Sequence, residues 1–274
     1  MFNIPGASWP YNLNLRQEEL EKLKDIYFDY KINSISNFGR VCALKPHLLS
    51  EKVYKLASRK EILKEVERII GKDINIWSSA FFVKEPNNKK YVGFHQDSPY
   101  WQLSSSKVVT AWIALSDSIK DNGCLQFIES ASEDSKSIHP LDVVDAYSTY
   151  KEGLKTTKNE DLISYNQLIP KKYLENKRYF VELKSGEFSI HDISVIHGSD
   201  KNVSNQYRIG LAVRYIDSNT FHLKDKKDTA LNIQGKKSNY LNNETIPVGE
   251  FSNSNIMSYN LFIKSAGGFG NKSY

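Results

Sequence analysis

The sequence predicts a mainly β fold with flanking helices, its antiparallel sheets closing as a sandwich or jelly roll. Three observations carry that prediction. From residue 74 the apolar residues fall in short, β-branched and aromatic-rich runs of strand length. Turn residues separate them at "EPNNKK" (85–90), "KDNG" (120–123) and "KSG" (184–186), without intervening helices. Clear helical periodicity is confined to the first 73 residues.

In chain order, residues 14–30 place Leu20, Leu23, Ile26, Tyr27 and Tyr30 on one helical face, with Asn14 and Gln17 spaced as a cap pair. A second helix spans 59–71, apolar at Ile62, Leu63, Val66, Ile69 and Ile70 and terminated by Gly71. Strands follow at "INIWSSAFFVK" (74–84), "YVGFHQD" (91–97), "KVVTAWIAL" (107–115), "CLQFIES" (124–130), "RYFVEL" (178–183), "EFSIHD" (187–192) and "YRIGLAVRYI" (207–216). Between 131 and 177 the pattern loosens into a polar, Tyr- and Lys-rich insertion, and the Asn/Ser/Lys/Gly-rich tail from about 235 reads as loop or lid. The economical organisation is one domain over 1–274: helical support (1–73), a jelly-roll core (74–220) with the insertion, and a C-terminal cap or lid (221–274).

The formal charge of +5 comes from scattered lysines rather than a basic stripe, so a nucleic-acid footprint is not expected. A mild attraction for small anions is. Cys42 and Cys124 are too few for a disulfide scaffold and lack metal-site spacing, which leaves them as buried thiols. No signal-peptide pattern opens the sequence, and no apolar run approaches the 18 residues of a membrane span. The expectation is a cytoplasmic protein acting on a small molecule, with no nucleic acid or membrane partner.

The chemistry concentrates in two stretches. In "GFHQD" the strand period of two sets His95 and Asp97 on one face and Gln96 on the other. His197 closes an apolar run ahead of the turn "GSD", and Arg208 follows 11 residues later at the head of the next strand. With seven arginines in the whole chain, that offset is rarely met by chance, which makes the joint pattern specific where its parts are not. Two imidazoles and a carboxylate on one face of a metal form the facial triad of non-haem Fe(II) oxygenases, with coordination positions left open for oxygen and a cosubstrate. A guanidinium nearby would hold the far carboxylate of 2-oxoglutarate in bidentate fashion.

The blocks "KPHLLS" (45–50), "IWSSAFFVKEP" (76–86), "GFHQDSPYW" (93–101), "VVTAWIALSDS" (108–118), "NGCLQFI" (122–128) and "HGSDKNVSNQYRIGLAVRYI" (197–216) resemble the phytanoyl-CoA dioxygenase superfamily of Fe(II)/2-oxoglutarate oxygenases, in particular its bacterial small-molecule branch. The resemblance implies a double-stranded β-helix of the cupin-like kind. It makes His95, Asp97 and His197 the metal ligands and catalytic centre, with Fe(II), 2-oxoglutarate and O2 as cofactor and cosubstrates. Arg208, helped by Ser199 and Trp112, would bind 2-oxoglutarate. Because halogenating members carry a small residue in place of the carboxylate, Asp97 points to hydroxylation. The sequence departs from the family pattern at "IESASEDSKSIH" (128–139) and "DTALNIQGKKSNY" (228–240), both on the substrate side, so the namesake's substrate does not carry over and a coenzyme A ester is not especially favoured; the aromatic and lysine-bearing surroundings fit a small polar metabolite or natural-product intermediate.

Blander readings compete at each position. His95 and Asp97 could be a core histidine and its orienting carboxylate. His191, next to Asp192, rivals His197 as distal ligand, but Asn202 stands at the offset where an arginine is needed. Tyr100 and Trp101 either touch substrate or cover the barrel mouth. Lys84 and Asn202 are candidate polar anchors for substrate, Lys84 competing with a solvated strand end, and His47 reads as structural. Two other readings of the barrel stay open: a cupin-like metal-dependent hydrolase or isomerase, and a non-catalytic ligand-binding member.

Overall fold

The structure is a computed structural model and describes residues 1–33, 44–101, 103–129, 169, 171–223 and 228–265. Most of the 131–177 insertion, Cys42 and the end of the tail lie outside the described residues. Among those described, twelve strands form two sheets. The larger runs β1 (Phe2–Ile4), β2 (Ala7–Asn12), β8 (Glu187–Asp192), β5 (Val108–Ala114), β10 (Arg208–Asp217), β3 (Ile74–Lys84), β11 (Thr229–Gln234), β12 (Asn242–Asn243). The smaller runs β4 (Val92–His95), β9 (Ile196–Ser199), β6 (Leu125–Ile128), β7 (Arg178–Val181). Pairing is antiparallel except between β11 and β12. Most neighbouring strands are far apart in sequence, as β10 between β3 and β5 illustrates, and the result is the jelly roll expected.

Strand alternation divides the core in two. Val109, Ala111 and Ile113 of β5 and Leu211 and Val213 of β10 face outward. There they pack against α1 (Gln17–Asn33), α2 (Glu51–Ala57), α3 (Lys60–Ile70) and α4 (Asn253–Ser265) through Leu23, Val53, Ile62, Val66 and Tyr259. The alternate residues Trp112, Ala114 and Ala212 face inward and meet Leu125, Phe127 and Val181 of the smaller sheet. Polar residues on this inner face therefore have nowhere to go but the space between the sheets.

Some elements differ from expectation. The Asn14–Gln17 cap pair does not form: Asn14 adopts φ 51°, and Glu19 instead reaches back to accept from the Arg16 N–H at 3.0 Å. The tail from about 235 is not simply loop, since β12 pairs with β11 at the edge of the large sheet and α4 covers its outer face. Lys45 anchors this segment: its Nζ donates to the Thr229 carbonyl (2.9 Å), to Thr229 Oγ1 (2.8 Å) and to Glu244 (2.5 Å). His47 joins the network through Nε2, 3.4 Å from Glu244 Oε2, while its Nδ1 lies 2.7 Å from Ser79 Oγ, the structural role expected of it. None of the described helices is long and apolar enough to cross a membrane.

One tie between sheet and helix layer is testable. The buried Tyr215 hydroxyl donates to the Ala57 carbonyl at 2.7 Å, satisfying the C-terminal end of α2. Tyr215→Phe keeps the ring and orphans that carbonyl, and is expected to cost about 1–2 kcal/mol in urea denaturation.

Candidate metal centre

His95 closes β4 and lies opposite His197 of β9, while Phe127 of β6 flanks His197 on the other side. Past His95 the chain leaves the sheet: Ser98 N donates to Ile193 O at 3.0 Å, and a single helical turn, Ser98–Trp101, begins. This turn leaves Asp97 facing the two imidazoles, with Gln96 directed away to the Ser194 carbonyl. Asp97 Oδ1 is 3.7 Å from His95 Nε2, and Oδ2 is 4.0 Å from His197 Nε2. One donor atom from each residue lies within 4.8 Å of the others, and all three residues are buried.

Protonation follows from the hydrogen bonds. His95 Nδ1 lies 2.9 Å from the Gly93 carbonyl and His197 Nδ1 2.9 Å from that of Val195. A carbonyl only accepts, so both Nδ1 atoms carry hydrogen and both Nε2 lone pairs are turned to the Asp97 side. Burial opposes ionisation of Asp97, but the imidazoles of His197 and His95 and the Arg214 guanidinium outweigh it and hold the carboxyl well below its usual range. Burial and His95 push His197 down to about 4. At neutral pH this centre is a carboxylate with a neutral His197, a set that accepts a divalent cation with little proton release.

That depression has a consequence for the metal-free chain. Between the ordinary imidazole value of 6.5 and about 4, the unfolded chain binds a proton that folded His197 refuses. The His197 contribution is present above this window and lost as pH falls through it, by up to about 3 kcal/mol. Urea denaturation from pH 7.5 to 4.5 should show the loss, and His197→Gln should flatten it.

The candidate cosubstrate residues lie along the head of β10. Arg208 is 3% exposed, its Nε has no partner among the described residues, and its guanidinium carbon sits 5.3 Å from the Trp112 ring. Burial pushes it down to about 10, still charged at neutral pH. Trp112 reaches this position because residue 210 is glycine: a Cβ there would lie 2.1 Å from Trp112 Cζ2. Gly210→Ala is expected to cost about 1–3 kcal/mol of stability through displacement of the ring. Thermal melts and 2-oxoglutarate titration would both register the change.

Ser199 lies on β9 two residues past His197, its Oγ accepting from Lys84 Nζ at 2.7 Å. Lys84 is not the solvated strand end weighed from sequence, because the Asp200 carbonyl also takes its ammonium inside the barrel. Asn202 is a correction. Its amide donates to the Lys84 and Gln206 carbonyls and accepts from Ser204, which uses it to brace the loop leading to Arg208 and leaves little for substrate. Trp101 packs edge-on to Trp77 at 5.3 Å, and the side chain of Tyr100 lies outside the described residues.

His191 stands beside the centre rather than in it, its ring 4.8 Å from that of His197. Burial, then His197, keeps it well below its usual range and neutral. Burial pushes the Cys124 thiol up to about 12, which makes it inert. Sequence reasoning missed Arg214 and Thr110. Their inward orientation was readable from Arg208 and Trp112, which lie an even number of residues away on the same strands.

The family model described as Phytanoyl-CoA dioxygenase (PhyH) matches residues 11–210. Among curated proteins, the peroxisomal phytanoyl-CoA dioxygenase of Bos taurus is 24% identical over 188 residues, 67% of this chain and 52% of that protein. The chain spans about half the length of the curated relatives it matches. Among solved structures, a non-heme monooxygenase, the ThoJ-Ni complex, superposes with a TM-score of 0.75 at 20% identity, over 96% of this chain and 94% of that one. CytC3 with Fe(II) and alpha-ketoglutarate superposes at 0.60 and 18% identity, over 91% and 93%. At such identities the structural likenesses speak for the shared jelly roll.

Proposed function

The chain belongs to the phytanoyl-CoA dioxygenase family, and on that premise we propose that it is an Fe(II)/2-oxoglutarate-dependent oxygenase that hydroxylates an unactivated C–H bond of a small polar metabolite or natural-product intermediate. The observation that carries this reading is the buried group of His95, Asp97 and His197, with Arg208, whose Nε has no partner among the described residues, on the inner face of β10. Bound there with 2-oxoglutarate and O2, Fe(II) would supply the oxidising chemistry, in which the cosubstrate is decarboxylated to succinate and CO2.

The chain's own residues do the rest. His95 and His197 offer Nε2, their orientation fixed by the carbonyls of Gly93 and Val195, and Asp97 brings the negative charge. Arg208 receives the distal carboxylate of 2-oxoglutarate in a planar fork, with Trp112 against its face and the Lys84-bonded Ser199 hydroxyl beside it. Trp112, Phe127 and Leu125 line the interior with apolar surface that excludes water. Asp97 occupies the position that a bound halide would need, which favours hydroxylation. The reading includes a reducing compartment, where Fe(II) persists.

The test is stoichiometric. Purified protein with Fe(II), O2 and ascorbate, the reductant standing in for the organic substrate as donor of the second electron pair, should convert 2-oxoglutarate to an equal amount of succinate and CO2, and chelation should stop it. Iron-loaded, folded protein that consumes no 2-oxoglutarate would contradict the proposal.

A further inference from the structure

A second arginine faces into the barrel. Arg214 lies six residues after Arg208 on β10, on the same strand face and about 20 Å further along. At its level the register sets Ser78 of β3 on one side and Thr110 of β5 on the other, followed by His191 of β8. Its guanidinium carbon lies between two rings, 5.2 Å from Trp101 and 5.6 Å from Phe82. Its Nε is buried without a hydrogen-bond partner among the described residues, and so are Thr110 Oγ1 and His191 Nδ1.

Three unsatisfied polar groups on three adjacent strands are costly, about 1–3 kcal/mol for each. Native interiors rarely leave such a cluster without bound water, an ion or a ligand to complete it. The charges agree. Asp97 acts on Arg214, and the six-residue spacing along β10 sets Arg214 about 20 Å from Arg208, so the two cations serve separate places. If Fe(II) and 2-oxoglutarate bind as proposed, the ion and Arg208 balance Asp97 and the two cosubstrate carboxylates. Arg214 is then left without a counter-charge beside the metal.

We propose that Arg214, with Thr110 and His191, is the substrate anchor, and that it binds a carboxylate of the organic substrate; this rests on the oxygenase reading above. The planar fork held between Trp101 and Phe82 suits bidentate carboxylate recognition. Thr110 and His191 supply the flanking hydrogen bonds. The substrate is accordingly a carboxylic acid whose oxidised carbon lies a short chain away from its carboxylate.

The test uses the full-length protein loaded with Zn(II) and saturated with 2-oxoglutarate, so that binding is read without turnover. Ligand-observed NMR would measure benzoate, phenylacetate and hexanoate, each against its primary amide, and inorganic phosphate as a further probe. The expected result is that acids bind better than their amides, that Arg214→Gln weakens them at least tenfold, and that Arg214→Lys, which keeps the charge without the fork, falls between. Separately, Arg214→Gln should keep its 2-oxoglutarate affinity within about twofold, whereas Arg208→Gln should lose it.

Acids binding no better than amides, or equally well to Arg214→Gln, would overturn the proposal. So would phosphate binding without carboxylate binding, or a joint loss of 2-oxoglutarate affinity in both arginine variants. Failure of wild type to bind 2-oxoglutarate at all would instead sink the oxygenase reading, and with it the charge argument used here.

Discussion

Asp97→Ala should leave a folded protein that no longer retains Fe(II) on gel filtration and releases succinate at least about a thousandfold more slowly, a loss of about 4 kcal/mol in transition-state stabilisation. The size of the effect follows from the donor set. His197 is neutral at pH 7 and Asp97 is ionised, so this carboxylate brings the negative charge to the group. Asp97→Asn separates charge from volume and is expected to be nearly as damaging. Asp97→Glu keeps the charge but moves the oxygen by one methylene from a position fixed by the turn at Ser98, and is expected to retain part of the metal with little activity. Iron content and single-turnover succinate distinguish the three. Near-wild-type activity in Asp97→Asn would mean that the carboxylate is a core partner of His95 and not a ligand.

Arg208→Gln is expected to raise KM for 2-oxoglutarate about 10- to 150-fold, the equivalent of the roughly 1.5–3 kcal/mol carried by a charge-assisted bidentate pair. A second consequence is less obvious. In the cosubstrate-free protein Arg208 is a buried cation whose Nε has no partner, so Arg208→Met should raise the melting temperature of the free protein while abolishing its response to 2-oxoglutarate. Wild type should show the reverse, gaining about 2.7 kcal/mol at a ligand concentration a hundred times Kd. Melts with and without 2-oxoglutarate would separate a binding residue from a structural one: a structural arginine would destabilise when removed and leave the ligand response intact.

The strands of the barrel were legible because their signal is local. Residues 74–84 form one β-branched and aromatic-rich run that ends at "EPNN", and β3 covers those same residues. The site was legible where one strand or one offset carries it, as in His95 with Asp97 and His197 with Arg208. What stayed hidden needed a partner strand. Nothing in the sequence places Thr110, Arg214 and His191 side by side, since that depends on the register of β5 with β10 and β8. Asn202 looked like a substrate anchor because its type and position fit, and only its contacts show an amide already spent on the loop. β1 and β2 were missed for a different reason: one is three residues long and the other contains Pro10, so neither carries a strand-length alternating pattern.

The central claim is that His95, Asp97 and His197 form an iron centre that takes 2-oxoglutarate. Anaerobic protein reconstituted with Fe(II) and then given 2-oxoglutarate should develop the weak visible charge-transfer band of a 2-oxo acid chelated to ferrous iron. His197→Ala, equally folded, should not. No band from folded, iron-loaded wild-type protein, or an equal band from His197→Ala, would contradict the account.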